Sequence, residues 1–465
     1  MAELKKRLGY SAITTLLQVY TGVAVIFVLA RFLALEQFGG FVFGLSLAGI
    51  VGACGEFGYS LMTSRDIPQN RFDLPSYVAD VLFQKTVISG FVAIVGILYL
   101  RCVLGNAGQV FWINCWFLLH GTLLSYSMYF TALLQAMGRF NQASHAMVLN
   151  AVLVTVVVAL LVFGQLNYTA LCVLFVAAHG GRLAWLIWAL RDVVSFRRPD
   201  FRGDIQQYLI KNSWSFGLHY VVGTLCFTID VQFIYLFLGT ADVALYNSAS
   251  RIATLILLLP TFLLQVFTPH LSAEYGRQGE HFQEVVKLLV KLLVYLSGAF
   301  AVVLCMFDRP ALGLVYGPQY LEAAPLFAPI LIMCTLRCLA LVYGTLLTIS
   351  DHQVFRVKVL VGSLAVSAVA NLALIPACGI MGAALAAVIT HLFLLGAYLH
   401  HTRMIYRQPF VQAPTLMVAG IIAACLVAKY AWPGLLWPTW MLGALVACLI
   451  LATREIQGVR AVLQR

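Results

Sequence analysis

The sequence predicts an all-α, polytopic membrane protein with about 14 transmembrane helices. Of the 465 residues, 62% are hydrophobic and only 10% are charged, whereas a soluble domain is about half apolar and about a quarter charged. Apolar stretches of about 20 residues, long enough to span a bilayer, recur along the whole chain. These stretches do not alternate apolar and polar residues as transmembrane β-strands do. A barrel, a soluble enzyme, a secreted disulfide scaffold and a disordered chain are therefore excluded.

Fourteen spans can be placed on the hydropathy pattern. The connections on one side of the predicted membrane are very short, and those on the other side are longer and basic. The spans cover residues 10–35, 39–62, 78–101, 110–135, 144–164, 168–190, 211–238, 243–270, 286–307, 322–349, 356–376, 379–401, 414–431 and 434–452.

The distribution of Lys and Arg predicts the orientation of the chain. With the N-terminus inside, 22 of the 29 basic residues, Lys85 among them, are assigned to the cytoplasmic side, three to the outer side and four to span interiors. Membrane proteins keep basic residues in their cytoplasmic loops, so both termini are expected in the cytoplasm. The same bias explains most of the net charge of +11 without a nucleic-acid partner. The lipid bilayer is the expected environment.

An internal repeat divides the predicted spans. Residues 31–46 can be laid on 236–251 with an offset of 205, and 160–179 on 372–391 with an offset of 212, which aligns His179 with His391. These similar offsets predict two six-helix lobes, residues 1–200 and 201–405, related by a pseudo-two-fold axis along the membrane normal. Residues 406–465 would add two C-terminal helices and a cytoplasmic tail. Parallel repeats of this kind are typical of some secondary transporters.

Four arginines inside the predicted spans are candidate substrate-binding residues. A charged side chain at the centre of a spanning helix costs about 2.5–3.5 kcal/mol on insertion scales, so it usually faces a polar cavity or a partner. Arg31 lies near the outer end of the first span, where it can snorkel, and Arg182 lies nearer the cytoplasmic end of the sixth. Arg251 and Arg337 lie within the eighth and tenth spans.

Two acidic residues are candidates for ion coupling or for a structural ion pair. Asp230 lies deep in the seventh span and could pair with Arg251 or Arg337, or take up a proton or a sodium ion. Glu56 lies late in the second span and could pair with Arg182. The guanidinium fork suits phosphate oxygens. The excess of arginine therefore predicts an electropositive cavity for an anionic substrate such as a lipid-linked phosphate or pyrophosphate.

Motifs for catalysis are absent from the sequence. It contains no G-x-x-x-x-G-K-[ST], H-E-x-x-H or G-x-S-x-G, which are the patterns of ATP hydrolysis, metalloproteases and serine hydrolases. No C-x-x-C occurs, and Cys334 and Cys338 have no further His or Cys at the spacing of a zinc site. The predicted outer loops are too short to house an active site. We expect a transporter rather than an enzyme, with no catalytic residue, metal or cofactor.

Four segments follow one another with a specific order and spacing along most of the chain. They are VLARFLALEQFGGFVFGLSLAGIVGACGEFGYS, FTIDVQFIYLFLGTADVALYNSASRIATLILLLPTFLLQVFTPHLSAEYGR, LVYGPQYLEAAPLFAPILI and LIPACGIMGAALAAVITH. They resemble the polysaccharide (Wzx-type) flippases, the lipid-linked oligosaccharide flippases of the multidrug/oligosaccharidyl-lipid/polysaccharide (MOP) exporter superfamily.

The resemblance implies a flippase that moves a polyprenyl-pyrophosphate-linked oligosaccharide across the bacterial cytoplasmic membrane by alternating access, for cell-surface polysaccharide biosynthesis. Arg31 matches the family's arginine-containing turn after the first span, and Asp230 matches its acidic residue in the seventh. Candidate protein partners are a polysaccharide polymerase and a chain-length regulator. The alternatives are a multidrug or peptidoglycan-precursor exporter of the same superfamily and a membrane-embedded glycan polymerase or ligase.

Overall fold

The computed structural model describes residues 10, 14–192, 203–275, 280–407, 410, 413–431 and 437–463. Every regular element in these ranges is a helix. The helices are α1 (Thr14–Phe32), α2 (Leu35–Glu56), α3 (Tyr59–Asp66), α4 (Leu74–Val103), α5 (Gly108–Ala136), α6 (Phe140–Val162), α7 (Tyr168–Ala189), α8 (Asp204–Phe237), α9 (240–275), α10 (Glu280–Met306), α11 (Asp308–Val315), α12 (Pro318–Ile349), α13 (Gln353–Cys378), α14 (Ile380–Tyr406), α15 (Ala413–Ala431) and α16 (Trp437–Leu463).

The predicted fold class is confirmed. Twelve helices in the described ranges are long and apolar enough to cross a membrane, and each overlaps one of the first twelve predicted spans. Helices α15 and α16 occupy the last two predicted spans, and α15 contains the shorter apolar segment Met417–Tyr430. Helix α8 begins at Asp204, seven residues before the predicted seventh span, and residues 193–202 lie outside the described part of the chain.

Side chains at the helix starts explain where several spans begin. Asp73 caps α4, where its carboxylate accepts hydrogen bonds from the Ser76 amide at 3.3 Å and the Ser76 hydroxyl at 2.8 Å. Asn167 caps α7 by accepting from the Ala170 amide at 2.8 Å. Short polar side chains at this position satisfy amides that have no partner within the helix. Both caps therefore mark span starts that hydropathy alone leaves undefined.

The chain divides into two compact units, Met1–Ala244 and Leu245–Arg465. In the first unit α2 packs against α5 and α8, and α5 packs against α7. In the second unit α12 packs against α10 and α14, and α13 packs against α14. The first unit includes α8, which the predicted lobe boundary at residues 200/201 assigns to the second lobe; that boundary follows the sequence repeat and remains a prediction.

A buried polar cluster attaches α15 to the second unit. The Lys429 ammonium donates to an Asp308 carboxylate oxygen at 2.5 Å and to the Cys305 carbonyl. The Tyr430 hydroxyl donates to the same carboxylate and to the Ala324 carbonyl at 2.8 Å. Helix α16 packs on both α10 and α15. The two appended helices therefore belong to the body of the second unit.

The first sequence repeat corresponds to a repeated structural element. Helix α1 ends at Phe32 and α2 begins two residues after the turn residue Leu33, and α8 ends at Phe237 before α9 begins at Thr240. The aligned stretches 31–46 and 236–251 are thus both a helix end, a tight turn and a helix start. Within the first unit, Gly39 of α2 lies against the Thr240 backbone so closely that a Cβ atom would overlap the carbonyl group.

Replacement of Gly39 by alanine should destabilise the protein, because overpacking at a backbone contact typically costs about 1–3 kcal/mol. Gly49 of the same helix is the matched control, since no atom lies within 4 Å of its added Cβ position. Gly49→Ala should be neutral or stabilising, because alanine favours helix by up to about 1 kcal/mol over glycine. Thermal unfolding of the detergent-purified variants measures both effects, and equal melting temperatures would show that the close approach is not needed.

Candidate functional site

The four predicted arginines differ in depth and surroundings. Arg31 lies in the last turn of α1 and is exposed, as expected of a side chain that snorkels. Arg182 of α7, Arg251 of α9 and Arg337 of α12 are half-buried. Among the described residues, no carboxylate lies within ion-pair distance of Arg31, Arg182 or Arg251. The structure therefore contains cations within its spans that are not neutralised by direct ion pairs.

In the second unit, Arg337 contacts a buried histidine. Its Nη1 atom lies 3.4 Å from Nε2 of His391 on α14. The other ring nitrogen of His391 lies 2.8 Å from the Ala387 carbonyl. A carbonyl can only accept, so this arrangement assigns the proton to Nδ1 and leaves the Nε2 lone pair to accept from the guanidinium. A neutral imidazole thus orients Arg337 without cancelling its charge.

Asp230 lies on α8 and is 7% exposed, and the same helix carries a buried polar network of the first unit. In this network the side-chain amide nitrogen of Gln232, two residues after Asp230, donates to the Ser46 hydroxyl at 3.0 Å. That hydroxyl donates to the Thr228 carbonyl at 3.2 Å, and the Tyr99 hydroxyl donates to the Gln232 amide oxygen at 3.4 Å. The network joins α2, α4 and α8 around the level of the predicted acidic site.

Glu56 forms its ion pair with Lys85, not with Arg182 as the sequence suggested. The Lys85 ammonium lies 2.8 Å from Glu56 Oε2, and the two side chains are 0% and 2% exposed. The ammonium also donates to the Gly55 carbonyl at 3.0 Å and to the Ser125 hydroxyl at 2.8 Å. All three of its donors are therefore used, which links α2, α4 and α5.

The assignment of Lys85 to the cytoplasmic side was wrong. Lys85 lies within α4, in the span Leu74–Val103, and its ammonium lies 5.6, 5.7 and 5.6 Å from the ring centroids of Tyr59, Tyr126 and Tyr129. The faces of aromatic rings attract a cation, more strongly where water is excluded. The signal in the sequence was a lysine inside an apolar run, with a glutamate inside the preceding one.

An apolar groove of about 550 Å³ lies between α4 and α8 of the first unit. Its walls include Phe83, Val87 and Phe91 of α4 and Ile210 and Trp214 of α8. Most of these side chains are exposed rather than packed against protein. Such a groove within a membrane-spanning region suits a hydrocarbon chain. Elsewhere in the described residues, no group of three or more His, Cys, Asp or Glu side chains is arranged to hold a metal ion.

This helical architecture is that of the MOP superfamily transporters. The structure resembles an inward-facing multidrug resistance transporter of the MATE family (TM-score 0.66, 15% identity, covering 86% of this chain and 98% of that one). It also resembles the lipid II flippase MurJ in an inward closed conformation (TM-score 0.69, 11% identity, covering 98% of this chain and 100% of that one). A third similar structure is a MOP superfamily transporter from Pyrococcus furiosus (TM-score 0.56, 14% identity, covering 87% of this chain and 95% of that one). At these identities the likeness shows the fold alone.

Sequence comparison then shows the family. The family described as polysaccharide biosynthesis protein matches residues 5–273, which is more than half of the chain, and the MatE family matches residues 216–376. The chain belongs to the polysaccharide biosynthesis protein family, and the predicted family is confirmed. A search of curated proteins finds no match.

Replacement of Lys85 by methionine should strongly destabilise the first unit. Glu56 would keep its buried carboxylate without the ammonium, and breaking a buried pair costs about 3–5 kcal/mol. The double variant Glu56→Gln with Lys85→Met removes both charges and should be more stable than Lys85→Met alone. Thermal unfolding measures these effects, with Lys211→Met, at an exposed lysine of α8, as control. A double variant no more stable than the single one would contradict the pairing.

Gln232→Leu should lower stability by about 1–3 kcal/mol, because the Tyr99 hydroxyl would lose its acceptor inside the protein. Gln207→Leu is the matched control on the same helix, since Gln207 is exposed. Unfolding midpoints of the two variants in the same detergent provide the comparison. Equal midpoints would mean that the network adds nothing to stability.

Proposed function

We propose that the protein is a flippase for a polyprenyl-pyrophosphate-linked oligosaccharide, with alternating access moving the pyrophosphate through a cationic path. The observation that supports this proposal is that Arg182 and Arg251 are half-buried within spans and have no carboxylate at ion-pair distance among the described residues. Burying a charge without a partner is costly. An anionic group of the substrate supplies that partner during transport.

The arginines suit this substrate by their chemistry. A guanidinium stays charged and presents paired N–H donors that match phosphate oxygens. Arg251 and Arg337 lie deepest along their spans and are the main candidates, with Arg182 and Arg31 as further contacts. The His391 ring supports this role for Arg337, because a neutral acceptor at 3.4 Å orients the guanidinium and preserves its charge.

The lipid tail of the substrate has a matching surface in the first unit. The lipid tail needs apolar surface open to the bilayer, and the groove between α4 and α8 supplies it. The proposed location is the bacterial cytoplasmic membrane with both termini in the cytoplasm. The product would serve cell-surface glycans such as lipopolysaccharide O-antigen or exopolysaccharide, through a polymerase and a chain-length regulator.

A multidrug exporter is the second candidate. The MatE match covers residues 216–376 and includes Asp230, a nearly buried acid. Such an acid could take up a proton or a sodium ion in exchange for a cationic drug. Drug resistance on expression that is lost in Asp230→Asn would favour this function over glycan flipping.

Charge reversal in the proposed path should stop flipping. Proteoliposomes carry polyprenyl-pyrophosphate-linked oligosaccharide in one leaflet, and a glycosidase added on the other side reports its exposure. Arg337→Glu and Arg251→Glu should each slow exposure at least about tenfold, because a lost charge-assisted hydrogen bond is worth about 1.5–3 kcal/mol. Arg403→Glu, at an exposed arginine in the last turn of α14, should keep the normal rate.

Two results of this assay would reject the proposal. Full activity in both charge-reversal variants would remove the cationic path. No exposure above protein-free vesicles, with several glycans and with either a proton or a sodium gradient, would remove the flippase function itself.

A further inference from the structure

Two histidines of the first unit meet where α5 packs against α7. The ring centroids of His120 and His179 lie 4.3 Å apart with the rings edge to face. His120 is 5% exposed, and both rings lie beside Phe175. Arg182 follows His179 by three residues on α7, which places both side chains on one face of the helix. Three potential cations therefore line one helix seam.

Several polar atoms of this seam are unused. His120 Nδ1 and Arg182 Nε are buried and have no hydrogen-bond partner. Arg182 Nη2 donates to the Thr131 hydroxyl at 3.2 Å. His179 Nδ1 lies 3.0 Å from the Phe175 carbonyl. Because a carbonyl only accepts, Nδ1 carries the proton, and Nε2 of the neutral ring has a lone pair and no proton. Buried polar groups are nearly always paired, so these atoms have hydrogen-bonding capacity that a ligand can use.

The electrostatics of the seam favour an anionic ligand. The basic side chains of α7 nearest to His120 are His179, whose ring contacts it, and Arg182, about one turn further along the helix. On neighbouring helices, Glu56 and Lys85 neutralise each other, as do Arg65 and Asp66. The other charged and imidazole side chains of the helices packed against α5 and α7 are Glu36 of α2, Asp80 and Arg101 of α4 and His145 of α6. Helix α8, which contacts α5 through Tyr220 and Met128, carries Asp204, Lys211, His219 and Asp230.

We propose that His120, His179 and Arg182 form a binding site for a phosphate group of the transported lipid, and that this site takes up one proton from water when the anion binds. The Arg182 charge opposes a second positive charge on the imidazole pair, and a bound phosphate offsets it. Anion and proton thus bind with positive coupling, and each favours the other to the same extent. The inference rests on the proposed function and adds a proton to what is carried: release of the phosphate on the far side releases the proton with it.

The second unit carries a related arrangement at the repeat-equivalent position. His391, which the sequence repeat aligns with His179, makes the same bond from Nδ1 to the carbonyl four residues earlier. Its Nε2 lies 3.4 Å from Nη1 of Arg337 on the facing helix α12, where His179 has His120 on the facing helix α5. A basic side chain therefore faces the aligned histidine in both units, which supports a role for these residues beyond packing.

Calorimetry with inorganic pyrophosphate on the detergent-purified full chain tests the site without transport. Titrations in two buffers of different ionisation enthalpy give the protons taken up, which should be about one per anion. His120→Phe should abolish this uptake and weaken binding about tenfold, as expected for a lost charge-assisted contact. His145→Phe is the matched control, because His145 is an exposed imidazole of α6, and it should change neither quantity.

Further variants separate the possible failures. Arg182→Lys should keep proton uptake with weaker binding, and Arg182→Met should lose both. If His120→Phe does not fold, His120→Asn keeps a polar side chain and should also lose the uptake. Unchanged proton uptake in both His120 variants, or no pyrophosphate binding by the normal protein, would overturn the inference. The flipping assay is read separately, so a protein that flips without proton uptake would lose only the coupling site.

Discussion

The ion pair between Glu56 and Lys85 organises the first half of the molecule. Both charges lie where neither water nor lipid headgroups can solvate them, so each is tolerable only because the other lies 2.8 Å away. The pair uses the end of α2, the middle of α4 and, through Ser125, the middle of α5. Three spans are thereby held in register by polar contacts, which in an apolar environment discriminate between helix arrangements more sharply than aliphatic packing does.

This pair also shows what separates structural charges from candidate functional ones. Lys85 has a carboxylate, a carbonyl, a hydroxyl and three aromatic faces around it, so it has no capacity left for a ligand. Arg182 has one hydroxyl and a buried nitrogen without a partner. Two cations within spans of the first unit thus differ in how many of their hydrogen-bond donors are satisfied. The intramembrane charge that its surroundings leave unsatisfied is the one available to a passing anion.

The fold was largely predictable, because bilayer thickness sets the length of each apolar segment and basic residues mark one side of it. The side-chain pairings between its helices were not predictable. Lys85 was misplaced because a count of basic residues by side ignores depth, and its partner Glu56 lies 29 positions earlier in another helix. Hydropathy located Arg337 within a span, but its contact with His391 spans 54 positions. Partners of this kind depend on helix rotation and packing, which the period of an apolar run does not encode.

The predicted internal repeat relates two of the histidine contacts that hydropathy alone did not predict. His179 and His391 occupy aligned positions and bind the carbonyl of the preceding turn in the same way, so the duplicated helix conserves the orientation of the imidazole. The facing helix differs: α5, the fourth span, presents His120, whereas α12, the tenth, presents Arg337. A cation that can lose its proton thus stands in one half where a permanent cation stands in the other. The predicted repeat thus aligns a pair of imidazoles in the first unit with an imidazole–guanidinium contact in the second, and the two differ because an imidazole can be neutral whereas a guanidinium stays charged.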